Sequence, residues 1–145
     1  MDEASITQYI IDTFDDIQTL TVTGTTFFFY DPKQKFPFAT MVTNDDNDPY
    51  SDLNRPSVFR LNIGISKATY LSLFGAQTSP SRAKEVVDNG YDFTALDQLM
   101  PHPVYGRMYW VCVLNPSAAT FQKVVKPLLA EAYALDVGKY TRVKE

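Results

Sequence analysis

The chain has 145 residues, 45% of them hydrophobic and 21% charged, with a formal net charge of −4. That size and composition suit one soluble globular domain and exclude an intrinsically disordered chain. No apolar run reaches the length of a membrane span, and the acids near the N-terminus do not fit a secretory signal, so a cytoplasmic protein is expected. The charge is uneven. Residues 1–54 hold ten acids and two bases, net −8, and residues 55–145 hold eleven bases and seven acids, net +4.

Ile6, Ile10, Phe14 and Ile17 share one face of an N-terminal helix that Asp2 or Ser5 can cap. Two β-rich runs, 19–23 and 25–30, follow and meet at Gly24, which predicts a hairpin. The cluster Phe27, Phe28, Phe29, Tyr30 reads as core packing rather than an aromatic ligand box. Asp31 to Lys35 reads as a turn into a strand over 38–43.

The stretch 44–52 is the most acidic of the chain and raises the question of a calcium loop. Counted from Asn44, Pro49 stands where such a loop needs glycine, and Arg55 where it needs the bidentate glutamate. A solvated loop without a structural metal is expected.

From 57 to 64 the pattern alternates, with Phe59, Leu61 and Ile63 on one face and Val58, Arg60 and Asn62 on the other. Ser66 then suits the N-cap of a short helix bearing Ala68, Tyr70, Leu71 and Phe74, closed by Gly75. Residues 77–82 read as a surface loop, with short helical turns expected over 82–88 and 92–99.

Arg107 to Leu114 reads as one strand, and its unbroken apolar run from Met108 places it mid-sheet. Trp110, Cys112 and Leu114 are assigned to the helix side, with Trp110 as a core anchor. Cys112 is the only cysteine and reads as a buried small hydrophobe, which suits a reducing compartment. Asn115 and Pro116 fit the N-cap and first position of a final helix. Its apolar face is Phe121, Val124, Val125, Leu128, Ala132 and Leu135, with Glu131, Asp136, Lys139 and Arg142 on the other. Pro127 predicts a kink between Lys123 and Pro127.

The segments PFATMVTNDD (37–46), FRLNIGISKATY (59–70), HPVYGRMYWVCVLNP (102–116) and PLLAEAYALDVGKY (127–140) resemble a bacterial domain family of unknown function. More remotely, the order of a Phe-Ala strand, a second strand, a Trp-bearing strand and a closing helix is similar to MmcQ/YjbR-like proteins. That second resemblance implies a small α+β fold likened to a double-winged DNA-binding arrangement.

The expected fold is α+β, a single domain over 1–145 with one antiparallel sheet of five or six strands and terminal helices packed on it. No catalytic signature, cofactor motif or phosphate loop is present. His102 is the only histidine, which excludes multi-histidine metal sites and two-histidine mechanisms. The expected function is a non-catalytic binding or interaction module. One site grouping is His102, Tyr105, Arg107, Arg60 and Tyr70 around an acidic or aromatic ligand. The alternative, taken from the remote resemblance, is nucleic-acid binding through Lys123, Lys126, Lys139 and Arg142, with Lys144, Arg82 and Lys84 nearby. Weak non-specific DNA affinity at most is expected, because the acidic half opposes it. An enzyme using His102 ranks third.

Overall fold

The computed structural model describes residues 1–30, 36–46, 48–75 and 91–144, with side chains to residue 139. The turn expected over 31–35, the loop and helical turn expected over 77–88, Arg82, Lys84 and the side chains of Arg142 and Lys144 lie outside the described residues.

Helix α1, Glu3–Thr13, starts where Asp2 accepts a hydrogen bond from the Ser5 N–H at 2.8 Å, which satisfies one free amide of the first turn. Strands β1 (Gln18–Val22) and β2 (Thr25–Phe29) pair as a hairpin. Its two-residue turn, Thr23-Gly24, has positive φ at both positions (47° and 79°), the backbone that matches strand twist. Strands β3 (Pro37–Val42) and β4 (Arg60–Gly64) extend the meander. Strand β6 (Trp110–Leu114) pairs with β4, and the two-residue β5 (Met100–Pro101) pairs with β6. The result is one open antiparallel sheet in the order β1-β2-β3-β4-β6-β5, an α+β fold.

Three of the described helices pack on one face of the sheet. Ile6 and Ile10 of α1, Tyr70 of α2 (Lys67–Phe74) and Leu128, Leu129 and Ala132 of α4 (Lys126–Lys144) pack on Phe28, Met41, Leu61, Ile63, Val111 and Val113. Fully burying each large side chain of this kind contributes about 1.5–3 kcal/mol. The opposite face carries a smaller cluster of Val42, Leu53, Met100, Cys112 and Leu114.

Several expectations for the C-terminal part of the chain change. The strand is shorter than 107–114: Tyr105–Met108 form a 3-10 turn, and Tyr109 takes a left-handed backbone (φ 66°) before β6 begins. The facing of β6 is also reversed, because Val111 and Val113 meet the helices while Trp110, Cys112 and Leu114 face away. A continuous apolar run carries no alternation from which to read its facing. The register decides it: Asn62 lies opposite Cys112 and Gly64 opposite Trp110. Finally, Ser117 rather than Asn115 caps the last helical segment, accepting from the Thr120 N–H at 3.2 Å. Asn115, at φ 42°, ties the end of β6 to the approach of β4: its Oδ1 accepts from the Phe59 N–H and its Nδ2 donates to the Ser57 carbonyl. The expected helical turn at 92–99 is irregular chain with isolated turns.

The effect of Pro127 is a widened turn. After α3 (Ala118–Thr120), residues Phe121–Val125 are π-helical, and the Lys126 N–H bonds back five residues to the Phe121 carbonyl. Proline cannot donate to the residue four back, and one extra residue per turn accommodates it. The inserted residue shifts the helix face. Leu135 is consequently exposed and Asp136 buried, the reverse of their expected sides.

Glu131 and Asp136 are therefore tertiary clamps rather than solvated decoration. Asp136 Oδ2 accepts from the Tyr30 N–H at 3.0 Å. Glu131 accepts from the Ser66 N–H (3.0 Å) and the Thr69 hydroxyl (2.6 Å), so α4 holds the N-terminus of α2 where Ser66 also caps it. Glu131→Ala should destabilise the chain by about 1–2 kcal/mol in denaturant melts. An unchanged midpoint would show that Ser66 alone suffices.

Candidate functional site

The described residues cover the sheet face opposite α1, α2 and α4 only in part, and a cavity of about 440 Å³ opens there. Its floor is built by alternation: Thr25 and Phe27 from β2, Thr40 and Val42 from β3, and Arg60 and Asn62 from β4. Asp48 of the acidic loop forms one wall. His102, Tyr105 and Met108, from the segment between β5 and β6, form the other, and Trp110 and Pro37 close one end. Phe27 stacks beside the buried Phe29, with ring centroids 6.1 Å apart. Phe28 alone of the three phenylalanines belongs to the helix-side core, and Phe27 lines the cavity instead.

Gly64 has a packing role here. A Cβ on it would come within 2.9 Å of the Trp110 ring, so the missing side chain leaves room for the indole against β4. Trp110 is half-buried, a cavity wall rather than the expected core anchor.

Arg60 is the centre of the site, and it is 1% exposed. Its guanidinium meets Asp48 in a two-pronged pair, Nη1 to Oδ1 at 3.0 Å and Nη2 to Oδ2 at 2.7 Å. Nη1 also donates to the Ser51 hydroxyl (2.9 Å) and Nε to Asn62 Oδ1 (3.0 Å). Asn62 is held in turn by donating to Thr40 Oγ1 at 2.9 Å. Four of the five guanidinium protons are thus bound. Burial pushes the Asp48 carboxyl up, but the hydrogen bonds and charge of Arg60 outweigh this and hold it below the usual carboxylate range.

The acidic loop is accordingly not a simply solvated one, since Asp48, Ser51 and Leu53 are buried. Local bonds shape it: Asp45 Oδ1 accepts from the Leu53 N–H at 2.7 Å, and the Asn54 side chain accepts from the Asp45 N–H at 3.3 Å. Arg55 fastens it by donating to the carbonyls of Ser51, Asp52 and Thr94. The arginine that breaks the calcium-loop spacing is thus a strap across two segments.

His102 is 2% exposed, and its backbone extends the β5–β6 pairing by donating to the Trp110 carbonyl at 2.9 Å. Its Nδ1 accepts from the backbone N–H groups of both Val104 and Tyr105 at 3.0 Å. Two donors aimed at Nδ1 assign the ring proton to Nε2. Burial, aided by the nearby Arg60 charge, lowers the imidazole pKa to about 3 against a smaller opposing pull from Asp48. His102 is therefore a neutral donor at physiological pH and cannot act as a general base through either nitrogen. Cys112 is no nucleophile either: burial pushes its thiol up to about 12, and its Sγ lies 3.6 Å from the Pro101 carbonyl as a donor.

Of the residues grouped from sequence, Arg60, His102 and Tyr105 meet at this cavity. Tyr70 lies on the opposite face of the sheet in the helix-side core, and Arg107 is exposed and outside the lining. Sequence reasoning missed Asp48, Asn62, Thr40, Phe27 and Trp110. A usable signal was present: two polar residues, Arg60 and Asn62, on one face of a central strand demand buried partners. The described basic side chains of the final helical segment, Lys123, Lys126 and Lys139, do not gather. Lys123 and Lys139 are exposed but sixteen residues apart, about 24 Å along the axis. Lys126 lies over the Tyr9 ring, 4.9 Å from its centroid. Among the described residues no helix is long and apolar enough to cross a membrane.

These features define an α+β protein with a polar-cored cavity on the sheet face opposite α1, α2 and α4. The chain belongs to the family of unknown function DUF6194, whose model matches residues 1–145. No curated protein and no solved structure matches it, so nothing in the comparisons carries the likeness to MmcQ/YjbR-like proteins.

Proposed function

We propose that this chain is a small-molecule-binding module without catalysis of its own, and that the cavity around Arg60 and His102 is its binding site. The observation that carries this reading is the combination of aromatic walls with a rigid polar centre. A volume near 440 Å³ falls within the range of ligand pockets, which are mostly apolar with a few fixed polar groups. Arg60, Asn62 and His102 are immobilised by hydrogen bonds before any ligand arrives, which lowers the ordering cost of binding. The immobilised His102, with its Nδ1 engaged, argues against the enzyme reading. The separation of Lys123 from Lys139 disfavours a phosphate-tracking surface on the final helix. A cytoplasmic setting belongs to the same reading, since the single thiol is buried and free.

A thermal-shift screen of small aromatic fragments tests the proposal on wild type and Trp110→Ala. The substitution should cost less than about 2 kcal/mol, because Trp110 is only half-buried. Fragments that stabilise the wild type should lose their shift in the variant. Hits that stabilise both proteins equally would place binding elsewhere.

A further inference from the structure

We propose that the cavity selects an uncharged ligand whose flat apolar body carries a carbonyl-type acceptor oxygen, received jointly by His102 Nε2 and the remaining Nη2 proton of Arg60. This rests on the cavity being a binding site and adds the chemistry of what it takes.

The geometry begins with the proton count. Asp48, Ser51 and Asn62 occupy four of the five guanidinium protons, and the fifth sits on Nη2, 3.4 Å from His102 Nε2. Nε2 itself bears a proton, because Nδ1 accepts from two backbone amides. The two donor nitrogens lie 3.4 Å apart, and a single acceptor oxygen on the cavity side of the line between them stands about 2.9 Å from each. Both residues are almost completely buried and line the cavity, so the pair is preorganised rather than assembled on binding.

Charge then separates the ligand classes. Among the described lining residues the ionic groups are Arg60 and Asp48, which neutralise one another in a 2.7 Å pair. A carboxylate entering the cavity would lose its hydration without gaining an unpaired cation. An ammonium would meet two donors. An amide, ketone or lactam oxygen meets both donors at a much smaller desolvation cost. Phe27 and Trp110 supply faces for a planar body, and Met108 an adaptable contact beside them.

The test uses benzamide, benzoate and benzylamine, which share a ring and differ in charge. Each is titrated to about 20 mM into the ¹⁵N-labelled full chain at pH 7, following the side-chain N–H signals of Trp110 and Arg60. Benzamide should bind at least about five-fold more tightly than either charged probe, as expected where buried donors must be matched. In Asp48→Asn, which frees the arginine charge, the order should swing towards benzoate. In His102→Phe, which removes one donor, the benzamide advantage should disappear. The wild-type ranking decides the matter even if either variant fails to fold. Equal binding of all three, or preference for a charged probe, would overturn the ligand class while leaving the binding site standing. No response to any probe would overturn both.

Discussion

Asp48→Ala should be among the most damaging single substitutions in the chain, costing about 3–5 kcal/mol. Arg60 is 1% exposed, and removing its carboxylate partner leaves a buried cation with only neutral acceptors, Ser51 and Asn62. For a chain of this length the loss corresponds to a melting-temperature drop on the order of 10 °C. The cost arises from the stranded charge more than from the pair's net worth, since desolvation offsets most of the attraction in a buried ion pair. The double variant Asp48→Leu/Arg60→Met should consequently be more stable than Asp48→Ala alone. Additive losses in denaturant melts of the single and double variants would show that the two side chains are not coupled.

Acid should destabilise the protein from an unusually high pH, and His102 should be the cause. Its folded pKa is about 3, below its ordinary value of 6.5. The unfolded chain therefore takes up a proton as pH falls through 6.5, while the folded chain resists until about 3. Stability linked to this group is complete above 6.5 and declines between 6.5 and 3 as pH drops. At about 1.4 kcal/mol per pH unit, the full loss is on the order of 5 kcal/mol. Asp48, whose carboxyl is held below its usual value by Arg60, adds a further loss only below about 3.8. Urea melts between pH 7 and 4.5 isolate the histidine. His102→Asn is the appropriate control, because an asparagine oxygen can accept from the amides two and three residues on, as Nδ1 does. That variant should stay folded and show a flat profile over this range. A wild-type profile that is equally flat would contradict the buried neutral histidine.

Much of the fold was legible where periodicity was clean. The alternation of Phe59, Leu61 and Ile63 against Arg60 and Asn62 assigned both faces of β4 correctly, and Asp2, Ser66 and Gly24 marked their helix starts and hairpin turn. Where periodicity was absent, facing was not recoverable locally. Trp110 to Leu114 is apolar throughout, and only its register against β4 shows that Trp110 belongs to the cavity. The final helix failed for a different reason, since one π-helical turn before Pro127 moves every later residue around the axis. That shift exchanges the roles of Leu135 and Asp136.

The site was half legible. Arg60, His102 and Tyr105 were grouped from their residue types alone. Tyr70 does not join them, because it projects from α2 into the core on the other face of the sheet. Asp48 was hidden within a run of acids that all looked solvated, and nothing local distinguishes it from Asp45 or Asp46. Its role depends on the loop between β3 and β4 folding back across the sheet until it meets Arg60, twelve residues later. Long-range pairing of this kind leaves no periodic trace in the sequence.

A ligand is expected on the sheet face opposite α1, α2 and α4, between the acidic loop and the β5–β6 segment. A crystal structure of the full chain soaked with its best thermal-shift fragment tests it most directly. Density is expected against Phe27 and Trp110, with an acceptor atom within about 3.2 Å of both His102 Nε2 and Arg60 Nη2. A fragment seated on the helix-covered face or along α4, with the Arg60 cavity holding only solvent, would contradict it.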